Sequence, residues 1–222
     1  MCEMHESSRE EKVDAAGQNA EVIARYRVFV ARVCILSGCL AVGMGTYQIW
    51  TGQNGGVLQG KMFYWDWIKV LAVVIAFGVA AWWRLARATA KPFWLPGMRR
   101  SVIAFLPALL AGAVVSYEIA AGYDEFELCA LCWVMCYGAG LLSVRQVVPR
   151  SLRGPGWKFL VTGAVITFFW RRYGAALAPQ FGVGEAESAA AIMVLSFGLL
   201  HLVHGVTLLL GKGNDHTLKP VK

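Results

Sequence analysis

Six long apolar runs most constrain what this chain can fold into. They cover residues 28–50, 62–83, 102–121, 128–148, 157–170 and 189–210. Several exceed the roughly 20 residues that a helix needs to cross about 30 Å of hydrocarbon. Open strands cannot satisfy their backbone polar groups in lipid, and a barrel would show alternation instead of solid apolar runs. The sequence therefore predicts an all-α, polytopic transmembrane helical bundle of about six helices.

The composition supports a membrane protein and excludes a nucleic-acid partner. Hydrophobic residues make up 57% of the 222 residues and charged residues 16%, whereas a soluble domain carries about 25% charged residues. The net charge of +7 could suggest nucleic acid. However, the basic residues lie between the apolar runs, where they act as orientation signals. We therefore expect membrane lipid, and no nucleic acid, as the surroundings of this chain.

The basic residues also predict the orientation. Seventeen of the 21 lie in the N-terminal segment, between runs two and three, between runs four and five, in the C-terminal tail, or at the ends of the runs that adjoin these segments. The positive-inside rule then places both termini in the cytoplasm, with a bacterial inner membrane as the default. Residues 1–27 lack the apolar run of a cleavable signal peptide, and we expect a flexible or weakly helical cytoplasmic tail there.

Two of the six cysteines form a Cys-x-x-Cys pair, Cys129 and Cys132. The predicted topology places them at the outer start of the fourth helix, on the side where disulfides persist. The positive end of a helix favours the thiolate that thiol–disulfide exchange requires, although neighbouring acidic residues oppose it. A structural pair remains open, while a metal site would need further ligands. Cys34 and Cys39, in the first run, are predicted to be packing residues.

Two histidines, His201 and His204, lie three residues apart in the sixth run. Polar residues within membranes are functional candidates. These histidines could bind a cofactor, as haem ligands or in contact with a quinone, or they could hydrogen-bond across helices. His201 lies roughly 18 Å below the outer end of its run, so we predict that the histidines and the cysteine pair form separate sites.

Residues 108–142 contain LLAGAVVSYEIAAGYDEFELCALCWVMCYGAGLL. This stretch of about 35 residues resembles the DsbB family of membrane thiol oxidoreductases and, more distantly, the vitamin K epoxide reductase family. The resemblance implies that Cys129 and Cys132 exchange electrons between a thiol-containing partner and a quinone. It also implies a four-helix bundle over residues 101–211. Residues 28–84 would add a hairpin, with a basic cytoplasmic loop at 85–100 and a cytoplasmic tail at 212–222.

The chain departs from the DsbB pattern in two respects, which leave other functions open. Cys136 stands where the family has an arginine that contacts the quinone, and no predicted outer loop carries a second cysteine pair. One alternative is a non-catalytic subunit of a larger membrane complex of respiratory or oxidase type. Its small-residue faces would hold neighbouring subunits, through Gly38, Gly43, Gly138 and Gly140. Another alternative is a haem- or quinone-binding membrane anchor.

Overall fold

The computed structural model describes residues 3–55, 60–88, 96–123, 125–145, 154–174 and 184–211, with the backbone alone over 3–23 and 96–98 and at 60, 171 and 174. Within these residues every regular element is helical and no strand occurs, which confirms the all-α prediction. The six helices are α1 (Glu3–Gln53), α2 (Gly60–Ala88), α3 (Pro96–Gly122), α4 (Phe126–Ser143), α5 (Pro155–Phe169) and α6 (Glu185–Leu210).

Five of these helices are long and apolar enough to cross a membrane, so the protein is an integral membrane protein. The crossing segments are Ala24–Gln53, Lys61–Ala88, Arg99–Gly122, Phe126–Ser143 and Glu185–Leu210. Large apolar side chains such as Val114 and Phe168 are 65% and 63% exposed, as expected of surfaces that face lipid. The remaining helix, α5, is apolar but has only 15 residues, or about 22 Å of rise.

The helix ends differ from the predicted ones at several points. α1 already begins at Glu3, because the predicted tail is rich in Glu and Ala, which are good helix formers. α3 and α5 begin at Pro96 and Pro155, since proline at the first helical position loses no hydrogen bond. α4 ends at Ser143, ahead of the predicted end at residue 148. Residues 146–148 and 212–222 lie outside the described residues.

Small residues spaced seven apart bring α1 and α6 into close antiparallel contact. A Cβ added at Gly38 would lie 2.8 Å from the carbonyl oxygen of Gly198, and one at Gly205 would lie 2.9 Å from that of Ala31. Seven residues are almost two helical turns, so Ala31 and Gly38 lie on one face of α1, and Gly198 and Gly205 lie on one face of α6. Backbones that approach this closely gain packing in lipid, where burying apolar surface contributes little. This contact fixes the first helix against the last.

α4 occupies the centre of the bundle and packs against α2, α3, α5 and α6. The buried core combines side chains from α1, α2, α3, α4 and α6 and includes Ala41, Phe63, Tyr64, Trp67, Ala120, Cys129, Trp133, Ala189 and Met193. The predicted division into a hairpin and a four-helix bundle stays a prediction. Helices α1 and α2 nevertheless contribute to this core, through Ala41 and Phe63 among others.

A polar cluster joins α1 to α2. Gln48 is completely buried; its side-chain oxygen accepts a hydrogen bond from Trp67 Nε1 at 3.2 Å, and its amide nitrogen lies 3.5 Å from Asp66 Oδ2. The other Asp66 oxygen pairs with Lys69 Nζ at 2.9 Å. Side-chain hydrogen bonds of this kind hold transmembrane helices together.

We expect Gln48→Leu to lower the free energy of unfolding by about 1 kcal/mol, because the indole N–H of Trp67 would lose its acceptor in an apolar setting. Thermal unfolding of the purified protein in mild detergent measures the change. Gln53→Leu is the matched control, since Gln53 is exposed at the end of the same helix. Equal stability of the two variants would contradict a stabilising role for this cluster.

Candidate functional site

Cys129 lies inside the bundle and not on its surface. α4 begins at Phe126, so Cys129 is its fourth residue, and its amide donates a hydrogen bond to the carbonyl of Glu125 at 3.1 Å. The Cys129 side chain is 0% exposed and belongs to the central core. Phe126 covers the core at this end and packs edge-on against Phe63 at 5.8 Å between ring centroids. A reagent from the aqueous phase can reach Cys129 only if this end of α4 opens.

Cys132 is more accessible and contacts a third thiol. Its side chain is half-buried, and its Sγ lies 4.0 Å from Sγ of Cys136, one turn further along α4. Met135 and Ala139, three and seven residues beyond Cys132, are exposed, so all three residues share one strip of the helix. This strip borders the lipid. The five described cysteines, including Cys34 and Cys39 on α1, are free thiols; Cys2 lies outside the described residues.

His201 is hydrogen-bonded through both of its ring nitrogens. Nδ1 lies 2.7 Å from the carbonyl oxygen of Phe197, and Nε2 lies 2.9 Å from the hydroxyl oxygen of Tyr137 on α4. A carbonyl can only accept, so Nδ1 carries the proton, and Nε2 of the neutral ring accepts from the Tyr137 hydroxyl. Among the roles predicted for the histidines, the cross-helix hydrogen bond is the one that His201 has in this structure.

Aromatic rings surround the Tyr137–His201 pair. The His201 ring lies 5.0 Å from Phe159 and is stacked on Phe197 at 5.9 Å between centroids. The segment Val194–Leu199 of α6, which ends two residues before His201, is π-helical. Such segments are rare and are frequently found at functional sites. The surrounding apolar rings strengthen the buried hydrogen bond by excluding competing water.

The pair separates two cavities. A cleft of about 80 Å³ is lined by Trp67, Trp133, Tyr137, Phe197 and His201, among others. A second cavity of about 230 Å³ is lined by Cys34, Tyr137, His201 and the half-buried His204. The indole nitrogen of Trp133 is buried without a hydrogen-bond partner among the described residues. The cleft therefore combines apolar walls with polar groups of α4 and α6.

The cysteines and the histidines lie at different depths. Tyr137, which contacts His201, is eight residues beyond Cys129 on α4, which corresponds to about 12 Å along the helix axis. Glu118, near the end of α3, is exposed. The Sγ atoms of Cys132 and Cys136 lie 4.0 Å apart. Sequence reasoning treated Cys136 only as a replacement for arginine, although its spacing of four from Cys132 places both on one face.

Three of the four glycines expected to hold neighbouring subunits pack within this chain. Gly38 contacts α6, as described above, while a Cβ at Gly138 would lie 2.9 Å from the backbone nitrogen of Leu160 on α5. A Cβ at Gly140 would lie 2.7 Å from the ring of Phe105 on α3. Only at Gly43, of these four, would an added Cβ meet no described atom within 4 Å.

Comparisons with models of protein families, with curated proteins and with solved structures find no match to this chain. The similarity of residues 108–142 to the DsbB family stays an expectation based on those residues alone. Function must therefore be argued from the positions and chemistry of the side chains described above.

Proposed function

We propose that this protein is a membrane thiol–disulfide oxidoreductase that passes electrons from a thiol partner to a quinone through Cys129 and Cys132. The observation that carries the proposal is the position of Cys132, which lies on the lipid-facing strip of α4 with another thiol 4.0 Å away. Quinones of membranes dissolve in the bilayer, so they can approach this sulfur from the lipid. A helix that presents thiols on this side can exchange electrons with such a molecule.

The chemistry balances with two thiols and one quinone. Closing a disulfide between Cys129 and Cys132 releases two electrons and two protons, which convert the quinone to a quinol. A thiolate of the partner then attacks this disulfide and forms a mixed disulfide, which a second partner thiol resolves. The products are an oxidised partner and the two reduced cysteines. Because Cys129 is buried under Phe126, attack on Cys129 requires the start of α4 to open.

The charge distribution supports an exchange on the outer side of the membrane. Most basic residues lie in the segments that we assign to the cytoplasm, and this orientation would place the start of α4 on the outer, oxidising side. A bacterial inner membrane fits such a protein. The acidic Glu125 and Glu127 flank the start of α4, where negative charge is favoured by the helix dipole.

The other predicted functions have weaker support. Haem ligation by His201 would break its hydrogen bond with Tyr137, because both ring nitrogens are already engaged. A role that only connects subunits would use small-residue faces, yet Gly38, Gly138 and Gly140 already pack against this chain's own helices.

Quinone reduction by the full-length protein in proteoliposomes tests the proposal, with dithiothreitol as thiol donor and a short-chain ubiquinone analogue as acceptor. We expect Cys132→Ser to reduce the rate to that of protein-free liposomes, because this variant cannot close the disulfide. The control, Cys39→Ser, removes an exposed thiol of α1 and should keep the parent rate. A parent rate in Cys132→Ser, or a parent protein that reduces no quinone, would refute the proposal.

A further inference from the structure

We infer that Cys136 is a third redox-active thiol, which moves the disulfide along α4 between the pairs Cys129–Cys132 and Cys132–Cys136. The inference rests on the proposed function and adds a residue to it. Its basis is the juxtaposition of Sγ of Cys132 and Sγ of Cys136 at 4.0 Å. Nothing in the Cys-x-x-Cys motif itself requires this third cysteine.

Helix geometry makes Cys132 common to both pairs. Residues four apart on a helix have Cα atoms about 6 Å apart, within the range of 4.4–6.8 Å observed for disulfides. Residues three apart are closer still. Cys129 and Cys136, however, are seven apart, which places their Cα atoms about 10.5 Å apart, too far for a bridge. Each disulfide must therefore include Cys132.

The packing of α3 leaves space for the third thiol. Gly112 of α3 faces Cys136, and a Cβ at this glycine would lie 2.8 Å from Cβ and 3.4 Å from Sγ of Cys136. Both Cys132 and Cys136 are only half-buried, whereas Cys129 is fully buried. The pair closer to the lipid is thus Cys132–Cys136, and the pair closer to the end of the helix is Cys129–Cys132.

This arrangement gives each pair its own reaction. The thiols of Cys132 and Cys136 reduce the quinone, giving up two electrons and two protons as their disulfide forms. The thiolate of Cys129 then attacks Sγ of Cys132. A Cys129–Cys132 bond forms, the Cys132–Cys136 bond breaks, and Cys136 leaves as a thiolate that takes up the proton lost by Cys129. The partner is oxidised by the disulfide at the helix start.

Such a transfer compensates for the missing external cysteine pair. Cys136 lies about 10 Å deeper along α4 than Cys129, so the disulfide can be generated at the depth of the quinone and used near the membrane surface. Three thiols on one helix would then transfer the disulfide from the depth of the quinone to the start of α4, within the bundle.

The experiment uses the full chain with Cys2, Cys34 and Cys39 replaced by serine or alanine, so that only the α4 cysteines remain. Each α4 cysteine is then changed to serine in turn, and the protein in mild detergent is treated with diamide. Free thiols are alkylated after denaturation and counted from the intact mass. We expect both thiols to disappear in C129S and in C136S, within a single chain.

C132S is the matched control, because its remaining Cys129 and Cys136 are too far apart to bridge, and both thiols should stay free. If C136S loses its thiols but C129S keeps them, the inference about Cys136 is overturned while the proposed function stands. If neither variant loses its thiols, both fail. In proteoliposomes we also expect C136S to reduce quinone more slowly by roughly a factor of ten or more, since its buried Cys129 must react directly. An unchanged rate would overturn the transfer of the disulfide from Cys132–Cys136 to Cys129–Cys132.

Discussion

Gly38→Leu should leave little folded protein, because the leucine side chain would occupy the space now filled by α6. Even a Cβ at this position would lie 2.8 Å from the carbonyl oxygen of Gly198 and 2.6 Å from Cγ of Leu202. Leu202 can change its rotamer, but a backbone carbonyl can yield only if the whole helix moves. Since α1 and α6 touch along several turns, such a movement would separate contacts far from the substitution.

Overpacking a well-packed interior costs about 1–3 kcal/mol and occasionally more, and we expect Gly38→Leu to reach the upper end of this range or to exceed it. The yield of monodisperse protein in detergent and its thermal unfolding measure the effect. Gly43→Leu is the matched control, because a Cβ at Gly43 meets no described atom within 4 Å. If the two leucine variants unfold at the same temperature, the close packing of α1 on α6 is refuted.

Tyr137→Phe should destabilise the protein by about 1–3 kcal/mol, because Nε2 of His201 would become a buried acceptor without a donor. The phenyl ring can keep the contacts with Phe159 and Phe197, so the change removes the hydroxyl and little else. Thermal unfolding in detergent again provides the measurement.

A double-mutant cycle isolates the hydrogen bond from the surrounding packing. The second variant is His201→Leu, and the third combines both changes. If the bond matters, Tyr137→Phe should cost clearly less in the His201→Leu background than in the parent, since no acceptor is then left unpaired. If Tyr137→Phe lowers the free energy of unfolding by the same amount in both backgrounds, the hydroxyl does not act through His201.

The sequence alone was sufficient to predict an all-helical membrane protein, because solid apolar runs allow no other spanning structure in lipid. It also identified His201 as a polar residue within a membrane span, and the structure places it in a hydrogen bond with Tyr137. Its partner, Tyr137, could not be found in the same way, since the pairing depends on how α4 and α6 pack. Those two residues are 64 positions apart, and hydropathy carries no information about such contacts.

Other features were present in the sequence but were not used. The glycines of α1 and α6 recur at intervals of seven, which indicates a face of close packing but not the helix that it contacts. Similarly, the spacing of Cys132 and Cys136 predicts that they share a face, yet only the packing of Gly112 shows that the thiol has room. The burial of Cys129 could not be foreseen, because its position near the predicted end of a span suggested exposure.

The close contact between α1 and α6 also constrains biosynthesis. About 130 residues separate the end of α1 from the start of α6, and ribosomes add roughly 5–20 residues per second. The glycine face of α1 must therefore remain in the bilayer for roughly 7–26 s before its partner has been translated. During this interval the face is available to any other helix that can approach closely, including one from another nascent chain. The bundle can close only after its last helix has entered the membrane.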